Sequence, residues 1–361
     1  MRLLAVVSAF FLAVFFTAAA DTFGSDKATW KPMGDTSIVI TGMHPTIAFD
    51  SDNDLMLAFS DSGREGRATV LSYKKGKWLI IGDRAFTEGG VTEPVLRANA
   101  AGIPYLAFID HANGQKTSVY AFGATAWKPV GVKGFSKGAA GNITVAFDRR
   151  STPHVAFHDT DNEYRVTVMR YDTAWRTVGD PPSKGNAYTP SLAFTKDNIP
   201  LIAFRDDTES SGITVMQYVN TWMPLGRSNC SGAMAQFTSI AAAGDTIIAG
   251  FQDWTGMSGK LSIMQWKDGW TFSAKGISEM FAEDVIVRIG PKGIPCAVFR
   301  EAKQGGKDMR ITMAWFDGTW RVMPVAVASA SYVYFDIDRN GVPHVVYCDL
   351  ETMRITTLAY R

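Results

Sequence analysis

The sequence predicts an all-β protein folded as one seven-bladed β-propeller. A tryptophan recurs about every 48 residues, an acidic residue recurs at the same interval, and each interval holds four short strand-like segments. Four-stranded units at such a period are typical of propellers. The segments are rich in Val, Ile, Thr, Phe and Tyr and show no helical period, which favours strands.

The first marker is a set of seven tryptophans separated by 48, 49, 48, 47, 48 and 50 residues. They are Trp30, Trp78, Trp127, Trp175, Trp222, Trp270 and Trp320. A glycine follows four positions later in five of the seven copies. We expect each tryptophan in the fourth strand of a unit.

The second marker is an acid that ends a stretch of the type Ala-Phe-x-Asp. The seven copies are separated by 49, 49, 47, 47, 48 and 48 residues. They are Asp61, Asp110, Asp159, Asp206, Asp253, Glu301 and Asp349. Both markers recur seven times at the same interval of about 48 residues. The sequence therefore predicts seven copies of one unit, with each acid at the end of the second strand.

The two ends of the chain predict how the ring closes. Residues before Thr46 contain one strand-like segment, around Trp30, and the last copy ends at Tyr360 without a tryptophan strand of its own. We therefore expect the Trp30 strand to complete the last blade, which removes the open edges that an unclosed ring would expose. A solenoid is disfavoured because no atypical polar caps are present.

Composition narrows the class of protein. Hydrophobic residues make up 46% and aromatic residues 12% of the 361 residues, which suffices for a large core and excludes disorder. The net charge of +1 provides no field that would recruit nucleic acid or an anionic membrane. Cys230, Cys296 and Cys348 allow at most one intramolecular disulfide, for which Cys296 and Cys348 are the candidates, or three buried free thiols.

The N-terminus has the layout of a secretory signal peptide. Arg2 precedes an apolar run from Leu3 to Phe16 and three alanines that end at Ala20. We expect residues 1–20 to be removed, leaving 21–361 as one propeller that is secreted and has no membrane span. Sequons at Asn142 and Asn229 predict glycosylation, more readily at Asn229, which falls in a link between blades, than at Asn142, which opens an innermost strand.

The strand ending Phe-x-Asp is similar in position to the Tyr-Trp-Thr-Asp tetrad of known propellers. Over residues 21–361 the arrangement resembles the broad group that includes Tyr-Trp-Thr-Asp, Trp-Asp and NHL repeats, sialidase-type propellers and fungal propeller lectins. The tetrad itself is absent, and the Gly-Gly doublets fall at different places from those of kelch repeats. The resemblance implies the fold and no specific activity.

One face of the predicted propeller has the more varied links. We name the strands of a blade a to d from the centre outward. The a–b and c–d turns are short, whereas the b–c and d–a links are longer and dissimilar, and loops presented by a rigid scaffold often carry function. We define the loop face as the face formed by the b–c and d–a links, and the seven acids are expected at its edge.

The acids allow two interpretations. They either cap the turn after strand b or bind the hydroxyls of a sugar or the basic groups of a partner. The residue before each acid differs between copies, and Trp254 adds an aromatic platform beside Asp253. The candidate ligand-binding residues are Asp61, Asp110, His158, Asp159, Arg205, Asp206, Asp253, Trp254, Arg300, Glu301 and Asp349.

Other chemistries have weaker signals. Asp336, Asp338 and Asn340 alternate like the start of a calcium loop, as do Asp50, Asp52 and Asp54, but His344 and Ala58 occupy the ninth positions, where a further ligand is needed. A sialidase would need clustered arginines, and the Phe-Arg-Ile-Pro motif is missing. No phosphate-binding loop, nucleophile elbow or basic aromatic patch is present, so no other cofactor is expected.

The sequence therefore predicts a secreted recognition module that binds a glycan or an extracellular protein on the loop face, without catalysis. The alternative is a propeller glycoside hydrolase of the sialidase type or a polysaccharide lyase. A binding module would keep polar and aromatic groups at equivalent positions of several blades. An enzyme would concentrate acids, arginine and tyrosine from different blades at the central opening.

Overall fold

The computed structural model describes residues 28–34, 40–303, 309–327 and 329–361. Within them, strands β1 to β28 form seven antiparallel four-stranded sheets. The first strand of each sheet contacts the first strand of the next, and the last sheet returns to the first. The all-β seven-bladed ring predicted from the sequence is confirmed.

Each blade uses four consecutive strands, except the last. Blade 1 contains β2 (Gly42–Phe49), β3 (Leu55–Asp61), β4 (Arg67–Lys74) and β5 (Lys77–Ile80). Blade 2 contains β6 (Val91–Ala98), β7 (Pro104–Asp110), β8 (Lys116–Phe122) and β9 (Trp127–Pro129). Blade 3 contains β10 (Ala140–Phe147), β11 (Pro153–Asp159), β12 (Arg165–Tyr171) and β13 (Trp175–Thr177).

The remaining blades follow the same order. Blade 4 contains β14 (Ala187–Phe194), β15 (Pro200–Asp206), β16 (Gly212–Val219) and β17 (Thr221–Pro224). Blade 5 contains β18 (Ala235–Ala243), β19 (Thr246–Asp253), β20 (Lys260–Trp266) and β21 (Trp270–Ala274). Blade 6 contains β22 (Phe281–Ile289), β23 (Pro295–Ala302), β24 (Arg310–Phe316) and β25 (Trp320–Val327). Blade 7 contains β26 (Ala330–Ile337), β27 (Pro343–Asp349), β28 (Arg354–Tyr360) and β1 (Trp30–Pro32).

The N-terminal strand closes the ring, as predicted. Trp30 in β1 lies opposite Tyr360 in β28. Thr29 and Arg361 exchange two backbone hydrogen bonds of 3.2 and 3.1 Å, so the two ends of the described chain are joined in one ladder. The outer edge of β28 is thereby paired rather than exposed.

The repeated tryptophans bind neighbouring blades together. The indole N–H of Trp175 donates to the carbonyl of Val130 in the preceding blade–blade link at 2.7 Å, and the indoles of Trp127, Trp222 and Trp270 make the same contact. The glycine that follows makes room for the next blade. At Gly131 φ is +72°, and a Cβ atom would lie 2.6 Å from the ring of Tyr171. This packing explains the Trp-x-x-x-Gly pattern.

The phenylalanine of each Ala-Phe-x-Asp stretch fills the space between blades. Phe108, Phe157, Phe204, Phe251 and Phe299 are fully buried. Cys230, Cys296 and Cys348 are buried free thiols, the second of the two alternatives left open by the sequence. Among the described residues no helix is long and apolar enough to cross a membrane.

Candidate functional site

The acids at the end of strand b stand at the loop face, and in blades 1 to 5 and 7 each starts the turn of the b–c link. Five of them, Asp61, Asp110, Asp159, Asp206 and Asp253, and also Glu301, are at most 4% exposed. In blades 1 to 4 the carboxylate accepts the backbone N–H of the second residue of a short 3₁₀ turn, as Asp61 does from Gly63 at 3.1 Å. This is the geometry of a helix N-cap, so it favours the structural interpretation of the acids.

In blades 1 and 6 an arginine completes the acid's hydrogen bonds. Arg84 donates Nε to Asp61 Oδ2 at 2.7 Å and Nη2 to Oδ1 at 3.2 Å. Arg310 donates Nε to Glu301 Oε2 at 2.6 Å. Burial opposes ionisation of both acids, but hydrogen bonds, first of all from these arginines, outweigh it, and the pKa values of Asp61 and Glu301 lie below their ordinary values.

A hydroxyl of strand c also donates to the acid, beside the arginine in blades 1 and 6, where Thr69 donates to Asp61 and Thr312 to Glu301, and without an arginine in blades 2 and 5. Ser118 Oγ donates to Asp110 Oδ2 at 2.7 Å, and Ser262 Oγ donates to Asp253 Oδ2 at 2.8 Å. In blade 7 the N–H groups of Glu351 and Thr352 donate to Asp349. The strand-b acids thus shape the loop face by fixing its turns.

The residues before the acids point to the other side of strand b and differ in exposure. Ser60, Ile109, Gln252 and Cys348 are buried. His158, Arg205 and Arg300 are half-buried. These three are the polar candidates whose side chains reach the surface of the loop face.

His158 and Arg205 meet around one aromatic ring. Tyr188, in strand a of blade 4, has the Arg205 guanidinium 5.3 Å from its ring centroid and the His158 ring edge-on at 5.7 Å. Gly141 gives the imidazole its space, because a Cβ there would lie 2.5 Å from His158 Nε2. We call His158, Tyr188, Arg205 and Asn186 the blade 3–4 cluster.

Polar groups surround this cluster, and two of its buried atoms lack partners. Arg205 Nε donates to Asp207 at 2.9 Å, and Asn186 Nδ2 donates to the Tyr188 hydroxyl oxygen at 3.0 Å. His158 Nδ1 and Asn186 Oδ1 are buried without a hydrogen-bond partner among the described residues. Burial lowers the pKa of His158, against a smaller opposing effect of Asp159. The imidazole is therefore neutral at pH 7 and offers one donor and one acceptor.

Trp254 and Arg300 lie apart from this cluster, in blades 5 and 6. Trp254 stacks on Phe281 with centroids 5.7 Å apart and donates its N–H to Gln252 at 2.9 Å. Arg300 pairs with Glu283 at 2.5 Å and Asp284 at 3.2 Å. The charge of Arg300 is thus neutralised by two acids of its own blade.

The innermost strands carry a feature that sequence reasoning missed. Each has a two-residue bulge opposite strand b, and the first bulge residue has φ between +47° and +52°. The seven are His44, Glu93, Asn142, Thr189, Phe237, Asp284 and Tyr332. Side chains of the bulges hold the next blade, as Asn142 Oδ1 accepts the N–H of Thr189 at 3.2 Å. Their identities vary, so no repeated letter marks them.

Deeper along the innermost strands, toward the a–b turns, two arginines flank a tyrosine. The guanidinium groups of Arg97 and Arg288 lie 5.2 and 5.7 Å from the ring centroid of Tyr334. Arg288 Nη2 donates to the Tyr334 hydroxyl at 3.2 Å, and its Nε lies 3.6 Å from Asp336 Oδ1. We call Arg97, Arg288, Tyr334 and Asp336 the axial cluster. It joins side chains of blades 2, 6 and 7 that no local sequence pattern connects.

The calcium candidates lie at the a–b turns of blades 1 and 7. Asp338 Oδ1 accepts the N–H groups of Asn340 and Val342 at 2.9 and 2.8 Å, whereas Asp336 pairs with Arg288. The three acids at 50, 52 and 54 lie within 4.8 Å of one another, and Lys74 forms ion pairs with two of them, at positions 50 and 54. Asp338 and Asp50 thus each form an Asx turn at an a–b corner, since Asp50 Oδ1 accepts the N–H groups of residues 52 and 54, both at 2.9 Å.

A row of hydroxyls on the d–a links also escaped the sequence analysis. Each accepts an N–H from the start of strand c, as Ser136 Oγ does from Thr117 at 3.0 Å, and Ser136 donates onward to Gly138 O at 2.7 Å. The members are Thr87, Ser136, Ser183, Ser231 and Ser278. The repeated Ser-Lys-Gly at positions 136 and 183 was the available signal. These bonds fasten the links and make the loop face a defined surface.

The two sequons lie where the sequence placed them. Asn229 is in the link between β17 and β18, and Asn142 is in the innermost strand of blade 3. Asn229 Oδ1 accepts the N–H of Gly232 at 3.0 Å, which leaves its amide nitrogen as the group to be modified.

No family model and no curated protein matches this chain. Among solved structures, a fungal alcohol oxidase of the AA5 family, in complex with copper, aligns with a TM-score of 0.62 at 11% identity over 92% of this chain and 76% of that chain. A six-bladed fucose-recognising lectin from Aleuria aurantia aligns with a TM-score of 0.51 at 14% identity over 80% and 97%. A protein of unknown function from Dyadobacter fermentans aligns with a TM-score of 0.51 at 14% identity over 92% and 98%. At these identities the likeness shows the propeller fold alone.

Proposed function

We propose that the protein is a recognition module that binds carbohydrate on the loop face, with no catalysis of its own. The blade 3–4 cluster carries this proposal. It presents the half-buried ring of Tyr188 between a guanidinium and an imidazole, beside buried polar atoms that lack partners. A buried polar atom without a partner is costly, so a ligand gains affinity there when a rotation of the His158 or Asn186 side chain brings that atom to it.

The chemistry of the cluster suits a hydroxyl-rich ligand. An aromatic ring provides a face on which the C–H side of a sugar ring stacks. Arg205 and His158 provide charged and neutral donors, and Asp207 and Asn186 provide acceptors, all within one patch. The fucose recognition described for the Aleuria aurantia lectin supports carbohydrate as the ligand class, because that protein shares the propeller architecture. An extracellular protein ligand is the alternative within the same proposal.

Secretion belongs to the same proposal. Residues 1–20 have the sequence of a signal peptide and lie outside the described residues. Sequencing the N-terminus of protein recovered from the medium of expressing cells should find it near residue 21. Recovery only inside cells, with Met1 retained, would contradict secretion.

The experiment is a glycan array followed by titration of the best glycan against paired variants. Tyr188→Ala and Arg205→Ala should each weaken binding at least tenfold without lowering the melting temperature. Arg176→Ala, an exposed arginine on the outer strand of blade 3, is the matched control and should bind normally. Asp206→Asn should instead destabilise the fold by about 1 kcal/mol, because Asp206 accepts the N–H and hydroxyl of Thr208. Full affinity in Tyr188→Ala would contradict the site.

A glycoside hydrolase is the second candidate, and the axial cluster favours it. Arginine, tyrosine and an acid from three blades meet there, the convergence that the sequence analysis set as the sign of an enzyme. Two guanidinium groups face one carboxylate, so the cluster has a surplus positive charge that suits a sugar carboxylate. A panel of aryl glycosides, including sialosides and uronides, tests this candidate. Turnover that disappears in Tyr334→Phe would replace the binding proposal with hydrolysis.

A further inference from the structure

We propose that a cavity beside blade 3 on the loop face binds an alkylguanidinium group, with Asp159 as its counter-ion. The cavity has a volume of about 380 Å³ and is bounded by blade 3 and the links on either side of it. Asp159 follows His158 and faces the opposite side of the sheet, because successive side chains of a strand alternate. The site is thus separate from the blade 3–4 cluster and does not depend on carbohydrate binding.

Asp159 is buried, and only one of its two carboxylate oxygens accepts hydrogen bonds from the described residues. It is 2% exposed and lines the cavity. Its Oδ1 accepts the N–H groups of Gly138 and Asp161 at 3.0 and 3.1 Å. Within the described parts of the chain no donor reaches Oδ2. A carboxylate oxygen that has no donor, on a residue only 2% exposed and at the wall of a cavity, favours a cationic ligand.

Blade 6 contains the same arrangement with the cation supplied by the chain. Glu301 Oε1 accepts backbone N–H groups from the link before its blade, Glu279 at 2.7 Å and Met280 at 3.2 Å, as Asp159 does from Gly138. The other oxygen, Oε2, accepts Arg310 Nε at 2.6 Å. In blade 6 the second oxygen of the acid thus accepts a guanidinium, beside the hydroxyl of Thr312, which donates to the same atom at 2.6 Å.

Blade 1 is a close parallel, with two differences around the acid. The first is a hydroxyl: Thr69 donates to Asp61 Oδ2 at 3.0 Å, whereas the equivalent Thr167 hydroxyl accepts from Asn162 at 3.1 Å. In both blades the first residue of strand c pairs with a nearby glutamate instead of with the strand-b acid, Arg67 with Glu65 and Arg165 with Glu163. In blade 1 the guanidinium of Arg84 donates two hydrogen bonds to the carboxylate of Asp61.

The equivalent position in blade 3 has no arginine. The sequence Gly82-Asp83-Arg84 of the first link corresponds to Gly179-Asp180-Pro181 of the third. Pro181 lines the cavity and has no group to donate to Asp159. Blade 3 thus keeps the carboxylate of blade 1 and lacks its guanidinium.

The remaining walls fit an alkylguanidinium. Asp159 and Asp180 contribute two negative charges, while the single ammonium, Lys137 Nζ, is bound to the carbonyl of Asp161 at 3.0 Å. Phe135 and Met169 provide apolar surface for an alkyl chain and for the face of a planar cation. The guanidinium belongs either to an arginine side chain of a partner protein or to a free guanidino compound.

Calorimetric titration of the purified protein with three probes tests the site. The probes are N-methylguanidinium, acetyl-Gly-Arg-Gly-amide and the same peptide with neutral citrulline. We expect one saturable site for both cations, no binding of the citrulline peptide, and at least tenfold weaker binding in Asp159→Asn. Tighter binding of the arginine peptide than of N-methylguanidinium assigns the ligand to a protein, and equal binding assigns it to a free compound. Equal binding of citrulline and arginine would overturn the proposal.

Two substitutions at equivalent positions of blades 1 and 3 provide the decisive comparison. Pro181→Arg should fill the cavity and abolish binding while Asp159 is kept. Arg84→Ala should open a second site at Asp61 and raise the stoichiometry from one to two. Asp110→Asn in blade 2, whose carboxylate is already satisfied by Ser118 and Asn113, is the control and should bind as the parent does. Undiminished binding in Pro181→Arg, or a stoichiometry that stays at one in Arg84→Ala, would overturn the proposal.

Discussion

Removal of residues 28–34 should destabilise the propeller measurably, because this segment closes the ring. The backbone groups of Thr29 and Met33 make three hydrogen bonds to the last strand and its end, each worth about 1 kcal/mol. Partial burial of the Trp30 side chain, which packs at 5.4 Å from Tyr360, adds about 2 kcal/mol. These contributions total about 5 kcal/mol, and loss of the ladder between β1 and β28 adds to them. For a chain of this size the melting temperature should fall by roughly 7 °C.

The assay is calorimetry on two matched chains, one beginning at Ala28 and one beginning at residue 35. The shorter chain should also aggregate during the scan, because the edge of β28 becomes exposed. Trp30→Ala in the longer chain keeps the backbone bonds and should lose about half as much stability. Equal melting temperatures of the two chains would refute closure by the N-terminal strand.

Four further predictions concern packing, acid stability, thiols and ligand binding. Gly131→Ala should destabilise more than Gly76→Ala in chemical denaturation. Both glycines have positive φ, but only at Gly131 would the new methyl group meet a neighbouring ring, so equal losses would contradict the packing. The pKa values of Asp61 and Glu301 in the folded protein lie below their ordinary values of 3.8 and 4.5. The ionised carboxylates therefore stabilise the fold fully above these ordinary values, and this stabilisation is lost as the pH falls through the folded pKa values. Melting temperatures measured from pH 7 to 2 should show the loss, and Glu301→Gln should show a smaller one. Because burial raises the pKa of Cys230 to about 12 and the other two thiols are also buried, a thiol reagent should label all three only after unfolding; rapid labelling of the native protein would contradict this. The depressed pKa of His158 predicts that glycan affinity stays constant from pH 8 to 6.5 and changes only below, whereas a midpoint above 6.5 would contradict a neutral imidazole.

The fold was predictable because its constraints repeat. In several blades a tryptophan indole donates to the equivalent backbone carbonyl of the preceding link. Because each copy of this contact needs a tryptophan, the residue recurs in the sequence at the length of one blade. The acids repeat for a similar reason: in blades 1 to 4 each caps the turn after strand b. Repetition therefore indicates the architecture, but a repeated acid fits both turn capping and ligand binding, so its role does not follow from the sequence.

The functional clusters were less predictable because they join different repeats. Tyr188 was not a candidate, since its partner His158 belongs to the preceding blade and the contact depends on the space left by Gly141. The axial cluster joins Arg97 to Tyr334 across the ring closure. Such contacts depend on blade order and on bulges in the innermost strands, which no fixed residue type marks.

Hydrogen exchange measured by mass spectrometry, with and without saturating glycan, tests recognition by the loop face most directly. The amides at 160–164, 186–189 and 207–211, around the blade 3–4 cluster, should exchange more slowly in the complex. The a–b turns at 50–54 and 148–152, on the opposite face, should be unchanged and serve as the internal control. Protection confined to those turns, with no change around Tyr188, would contradict the loop face as the recognition surface.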